Sequence, residues 1–254
     1  MKRALAYAID RGDASRMILA RLFAFLLLVV PGAASAAAGR SYVVTDYDRI
    51  RIDGPFDVAL TTRTAPSARA DGPAEASDTI DIRVEGRTLV VRAGSRGWGE
   101  VPRRGAAKPL VIRLGVPMLR AATVVGGGRL AVAGPFRAQR VDLQVTGSGS
   151  IDAPALDADE LNATMLGSGA MTLGGRGGRV RLLTSGTGGI DATALRSDAL
   201  TVRLDGSGTV TATARFTADA TSTGLGAVTI YGKPTCRVSA AASGPIRCGV
   251  GAVL

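Results

Sequence analysis

Histidine is absent from this chain of 254 residues, which removes the commonest general base and the commonest metal ligand together. A Ser-His-Asp triad is excluded. Cysteine occurs only at Cys236 and Cys248, too few for a structural zinc site of the usual kind. Aromatic residues make up 4% of the chain and Trp98 is the single tryptophan. That is too little for the thick aromatic core of a sandwich, and too little for the stacking platforms that hold single-stranded nucleic acid. Long apolar runs are missing as well. The longest, Leu22 to Val30, is too short to span a membrane.

That run belongs to a targeting segment. Lys2, Arg3, Arg11, Arg16 and Arg21 precede it, and Pro31, Gly32 and the small-residue site Ala34-Ser35-Ala36 follow. Residues 1–38 read as a signal peptide, starting at Met1 or at Met17 and cut after Ala36 or Ala38, and residues 39–254 as one exported domain. No cysteine follows the cleavage site, so lipid attachment is not offered there. No membrane span is expected after cleavage.

What the chain holds in abundance is glycine, at 34 positions, and much of it is phased. A Gly-Ser-Gly-like triplet, followed one residue later by an apolar residue, recurs every 18 to 21 residues: GGGRL from Gly126, GSGSI from Gly147, GSGAM from Gly167, GTGGI from Gly186, GSGTV from Gly206, GLGAV from Gly224 and a worn ASGPI from Ala242. A unit that short cannot bury its own apolar face, so the units must stack into a solenoid. Two, four and six residues before each corner stand sets such as Val141, Leu143, Val145 and Leu200, Val202, Leu204; four and six residues after it stand pairs such as Ile151, Ala153 and Val210, Ala212. Alternation of period two means strands with one face in a lumen, and the glycines mark the bends. Gly126, Gly147, Gly149, Gly167, Gly169, Gly186, Gly188, Gly206, Gly208, Gly224 and Gly226 are therefore read as structural corners. The expected coil is strand, glycine corner, strand, turn. The fold class is all-β, a single-stranded β-solenoid of about 20 residues per coil, right-handed by the usual twist preference, with six or seven coils.

Residues 121–249 carry these regular coils. Residues 41–120 also alternate as strands, without the triplet, and two stretches interrupt them, Thr64 to Ser77 and Gly94 to Pro109, which read as loops.

GPFDVAL from Gly54, the phased GSG-x-apolar coils and the closing GLGAVTIYGKP resemble the exported bacterial family called putative auto-transporter adhesin head GIN domain, over roughly residues 45 to 249. The resemblance implies a β-helical exported protein with a suggested adhesive role, and it supplies no catalytic residues. After Cys248 only GVGAVL remains, so an autotransporter barrel is not expected within this chain.

Candidate chemistry is sparse. Asp152 and Asp191 share one wall position two coils apart, about 10 Å, with Thr172 between. They read as solvated wall residues rather than as a carboxylate pair for glycoside cleavage. The glycine triplets open strands, so they are not phosphate loops, and their period is twice that of calcium-binding glycine repeats. No cofactor or metal is implied.

Charge is the feature that points to a partner. From Arg83 to Arg140 twelve basic residues face only Glu85 and Glu100. From Val141 to Thr223 six arginines face nine acids. This asymmetry suits an anionic surface such as lipopolysaccharide or acidic polysaccharide, with Arg96, Trp98, Arg103, Arg104 and Lys108 as the candidate contacts. The plain alternative is an arginine-rich solvated face. Cys236 and Cys248 stand six residues either side of the worn corner at Ala242, both at lumen positions, and in an oxidising compartment they are expected to form a disulfide across the last coil; the alternative is two buried free thiols. The functional expectation is a non-enzymatic envelope or surface protein. A carbohydrate-active solenoid enzyme on acidic glycans and a self-associating periplasmic structural protein are the alternatives.

Overall fold

The alternation expected of the lumen is the alternation found. In a computed structural model, which describes residues 39–94, 110–241 and 244–251, the apolar residues named above on either side of the glycine corners are all buried, Val141, Val145 and Leu204 completely so, whereas the lumen position expected of Cys236 is exposed and that of Cys248 only partly buried. The reason is steric. Parallel strands in register place each apolar side chain directly over its counterpart in the previous coil, so one lumen position becomes a continuous column.

The regular part begins with β8 (Ala121–Gly126) and β9 (Arg129–Ala133) and runs through β10 (Phe136–Gly147), β11 (Ser150–Gly167), β12 (Ala170–Gly186), β13 (Gly189–Gly206) and β14 (Thr209–Ser222) to β15 (Ala227–Gly232), β16 (Thr235–Ala240) and β17 (Ile246–Val250). Each pairs in parallel with the element one coil on, so that Val145 lies over Met165, then Thr184, then Leu204. This is a β-solenoid with a coil of roughly 20 residues.

Each regular coil has three faces rather than the two expected, because the stretch read as a turn is itself a strand. In β11 the buried residues are Ile151 and Ala153, then Leu156 and Ala158, then Leu161, Ala163 and Met165. The alternation slips by one residue at Pro154-Ala155 and again at Asp159-Glu160, and each slip turns the chain to a new face. The third face pairs Phe136–Arg140 with Leu156–Glu160 and then with Gly175–Arg179. Gly175 has φ +109, and a Cβ there would lie 2.7 Å from the Leu156 nitrogen below it.

The N-terminal strands are β1 (Gly39–Tyr42), β2 (Arg49–Asp53), β3 (Asp57–Thr62), β4 (Ser67–Asp71), β5 (Ile80–Glu85), β6 (Thr88–Ala93) and β7 (Val111–Val116). Their order is not sequential. β2 lies between β6 and β8, and β3 between β7 and β9, all in parallel, so the first coil of the chain is inserted between two later ones. Antiparallel strands close this end: β5 on β6 over one wall, and β4 on β7 followed by β1 on β4 over another. The stretch from Thr64 to Ser77 is thus not a loop. It supplies the capping strand β4 and a single helical turn, Ala74–Ser77. The buried residues of β4 are Ala68 and Ala70, whose small side chains gave the alternation little apolar contrast. The segment Gly94 to Pro109 lies, after Gly94 itself, outside the described residues.

Among the described residues the opposite end has no such cover. All six residues of β16 are exposed, although Cys236 and Val238 pair with the buried Ala218 and Ala220. Cys248 pairs with Ile230 on the other wall, and Cys236 and Cys248 form a disulfide with their Cα atoms 6.3 Å apart.

Candidate functional site: a basic cleft at a step in the solenoid

The glycine corners carry most of the repeat. The leading glycine of the triplet has positive φ at Gly126, Gly147, Gly167, Gly186 and Gly206, but not at Gly224. At Gly147, Gly167 and Gly186 its carbonyl receives two backbone N–H groups from the next coil: Ser168 and Gly169 both donate to Gly147, at 3.0 Å each, and Ser207 and Gly208 both donate to Gly186, also at 3.0 Å. The third glycine is buried, and at Gly149 or Gly188 a Cβ would stand 2.5 Å from the glycine carbonyl below. The middle residue, Ser148, Ser168, Thr187, Ser207 or Leu225, is exposed. The triplets are thus a stacking device, and their polar groups are spent on one another.

The lumen is filled with side chains, so ligand contacts belong outside. A cleft of about 860 Å³ opens at the place where the third face begins. Residues 136–140 of β10 pair with β11 on one side; on the other side no described strand pairs with them, because β8 meets β10 only from Asp142 onward. Among the described residues that step leaves a free strand edge. Arg137, Gln139 and Arg140 stand along it, Arg49, Arg120 and the half-exposed Met118 face them, and Asp142 and Asp159 complete the lining.

Asp48 organises the basic side. It is buried, its carbonyl accepts the N–H of Arg120 at 2.8 Å, and its own N–H donates to the Arg87 carbonyl at 3.1 Å, so it ties β6, β2 and β8 together where they start. Its carboxylate meets three guanidiniums: Arg87 at 3.0 Å, Arg120 at 3.5 Å and Arg49 at 4.0 Å. One carboxylate offsets one of them, and the surplus faces the cleft. Arg137 approaches Asp157 at 3.8 Å, whereas Arg140 is held firmly by Glu160 at 2.6 Å. Glu160 also accepts from Arg181, and its hydrogen bond from Arg140 leads the causes that hold its pKa below the usual carboxylate range.

The basic surplus read from residues 83–140 is partly neutralised by acids from elsewhere in the chain. Arg87 and Arg120 meet Asp48, Arg92 meets Asp81, Arg113 meets Asp71 and Arg140 meets Glu160. The candidate contacts Arg96, Trp98, Arg103, Arg104 and Lys108 lie outside the described residues. Arg120, Arg137 and Arg140 were counted in that surplus without being singled out, and Arg49 was not; only the inserted position of β2 brings it beside Arg120.

Asp152 and Asp191 lie in one ladder with Thr172 between them, as their spacing required. Asp191 accepts hydrogen bonds from the Thr193 hydroxyl at 2.6 Å, the Thr193 N–H at 3.0 Å and the Thr211 hydroxyl at 3.0 Å. The Thr193 hydroxyl bond is the largest cause that lowers its pKa. A carboxylate held as the anion is the opposite of the raised-pKa acid that glycoside cleavage needs.

These features define a class: an all-β solenoid with a solid lumen, an end closed by antiparallel strands, and charged residues along its outer walls and edges. The chain belongs to the family described as putative auto-transporter adhesin, head GIN domain, whose model matches residues 46–234. Among solved structures it is similar to a putative adhesin from Bacteroides fragilis NCTC 9343, at 24% identity over 83% of this chain and 95% of that one, with a TM-score of 0.75. It is also similar to a putative lipid binding protein from Parabacteroides distasonis ATCC 8503, at 23% identity, the same coverage of 83% and 95%, and a TM-score of 0.67. A putative adhesin from Parabacteroides merdae ATCC 43184 follows at 14% identity, again over 83% and 95%, with a TM-score of 0.59. At these identities the likeness is one of fold. No curated protein matches the chain.

Proposed function

We propose that this chain is a non-enzymatic exported solenoid that adheres to anionic surfaces of the cell envelope or of a neighbouring cell, with lipopolysaccharide and acidic polysaccharide as the surfaces it suits. The observation that carries the reading is the filled lumen beneath a basic exterior. Buried apolar columns leave binding to the outside, and the exported domain, residues 39–254, keeps a formal net charge of +7 of the whole chain's +10, which attracts anions. The membership of an adhesin-named family points the same way. The carboxylates with shifted pKa, Glu160, Asp191 and Asp205, are all lowered, each chiefly by a hydrogen bond to its charged form. That supports a binding role over an acid-base one. Export rests on the signal-peptide pattern of residues 1–38. Among the described residues no helix is long and apolar enough to cross a membrane.

The experiment is retention of the mature protein on immobilised lipopolysaccharide and acidic polysaccharide at low salt and at about 0.5 M salt, where the Debye length falls to about 4 Å. Retention at low salt with release at high salt is expected. Failure to bind either surface at low salt refutes the reading. N-terminal sequencing of the exported protein should begin at Ala37 or Gly39.

A further inference from the structure

We infer that the cleft at the free edge of β10 is a binding site for an acidic sugar, whose carboxylate or phosphate is taken by Arg49, Arg120 and Arg137 and whose hydroxyls are taken by Asp142 and Asp159. The inference rests on the anionic-surface reading above and gives it a location.

Three observations lead to it. First, the guanidiniums are under-used. Arg49 approaches Asp48 Oδ1 through Nε at 4.0 Å, Arg120 approaches Oδ2, already taken by Arg87, through Nε at 3.5 Å, and Arg137 approaches Asp157 through Nε at 3.8 Å. All three distances are too long for hydrogen bonds, and among the described residues none of the three arginines has a side-chain hydrogen bond. Planar donor forks facing solvent from both sides of one cleft suit an oxyanion, which takes two such donors at once.

Second, the cleft is not uniformly basic. Asp142 and Asp159 line it beside the arginines. Two carboxylates oppose a bare anion, yet they are the acceptors that sugar hydroxyls use, and the Gln139 amide supplies both a donor and an acceptor. A ligand that satisfies both sets carries one negative group and several hydroxyls. Third, the cleft is ligand-sized, at about 860 Å³, within the range of roughly 300–1,000 Å³ usual for small-ligand sites. The unpaired edge of residues 136–140 adds main-chain donors and acceptors along its floor.

The test is titration calorimetry on the mature, disulfide-bonded protein, with galacturonic acid oligosaccharides as the carboxylated probe, glucose 6-phosphate as the phosphorylated one, and maltotriose, inorganic phosphate and poly-glutamate as comparators. Binding of the carboxylated or the phosphorylated sugar, and not of maltotriose, is expected; whichever of the two binds more tightly names the source of the charge. Arg137→Gln, at an exposed position, should weaken that binding at least about tenfold. Asp159→Asn should weaken the sugar while leaving inorganic phosphate unchanged or tighter. A charge-matched control, Arg247→Gln on the wall that carries Asp152 and Asp191, should leave binding as it was. If the parent binds the acidic sugars and Arg137→Gln binds them equally well, the cleft is the wrong site and the adhesive reading stands. If lipopolysaccharide, acidic polysaccharide and every acidic sugar fail alike, the adhesive reading falls with it. Inorganic phosphate or poly-glutamate binding as tightly as the sugars overturns the choice of ligand.

Discussion

Four glycines separate the two reasons why a triplet corner excludes side chains. At Gly127 the φ is ordinary, and a Cβ would meet the Ser148 hydroxyl at 3.6 Å, a normal contact, so Gly127→Ala should be neutral or slightly stabilising. At Gly86 the φ is +63 with nothing within 4 Å, so Gly86→Ala isolates backbone strain, about 1 kcal/mol. At Gly188 the φ is ordinary, but the Cβ would stand 2.5 Å from the Gly169 carbonyl and 3.0 Å from its nitrogen. That backbone is fixed by the coil below, and relieving the contact means parting two hydrogen-bonded coils; a cost of about 2 kcal/mol follows. Gly167→Ala combines the two, with φ +120 and a Cβ 2.6 Å from the Gly147 carbonyl, and should cost about 3 kcal/mol. In a domain of this size each kcal/mol moves the melting temperature by about 2–4 °C. Thermal unfolding followed by circular dichroism should rank the variants Gly127, Gly86, Gly188, Gly167 in order of increasing loss. Equal melting temperatures for Gly127→Ala and Gly167→Ala would refute the stacking account of the corners.

Breaking the disulfide with Cys236→Ser and Cys248→Ser releases a closure over 12 residues, worth about 3 kcal/mol, and should raise hydrogen exchange in β16 and β17 well before β11. Asp48→Asn leaves three guanidiniums around a neutral amide; because those arginines are more than half exposed, the loss should be about 2 kcal/mol rather than the larger figure for a dry ion pair, read by denaturant unfolding. Glu160, Asp191 and Asp205 have folded pKa values below their unfolded ones, so they stabilise the fold above about pH 5 and lose that contribution as pH falls through the range below about 4; Asp191→Asn should flatten this acid limb. Replacing Arg96, Arg103, Arg104 and Lys108 together by alanine should reduce low-salt retention on lipopolysaccharide, and unchanged retention would remove that segment from the binding surface.

The lumen was legible in the sequence because large residues such as Leu143, Met165 and Leu204 alternate with polar ones, and the hydrophobic effect acts on that contrast directly. The third face was not. Its inward residues include Ala158, Gly177 and Ala214, which carry little apolar signal, and its bends are single-residue slips of the alternation. The capping strand β4 escaped notice for the same reason, through Ala68 and Ala70. The cleft is hidden for a different one: Arg49, Arg120 and Arg137 are distant along the chain, and parallel pairing of non-adjacent strands leaves no local trace. The basic surplus was visible, but not that Asp48 would gather three of its neighbours.

The insertion of the first coil between two later ones bears on how the molecule comes into being. A chain emerging from its N-terminus cannot finish the β2–β3 layer until residues up to Ala133 have arrived, since β8 and β9 form one side of it and β6 and β7 the other. Beyond that block each further coil needs only the one before it. Assembly is then a slow, long-range closure followed by quick one-by-one accretion. Truncating from the C-terminus should shorten the rod and spare its beginning, whereas removing β2 withdraws the seed on which every later layer is laid.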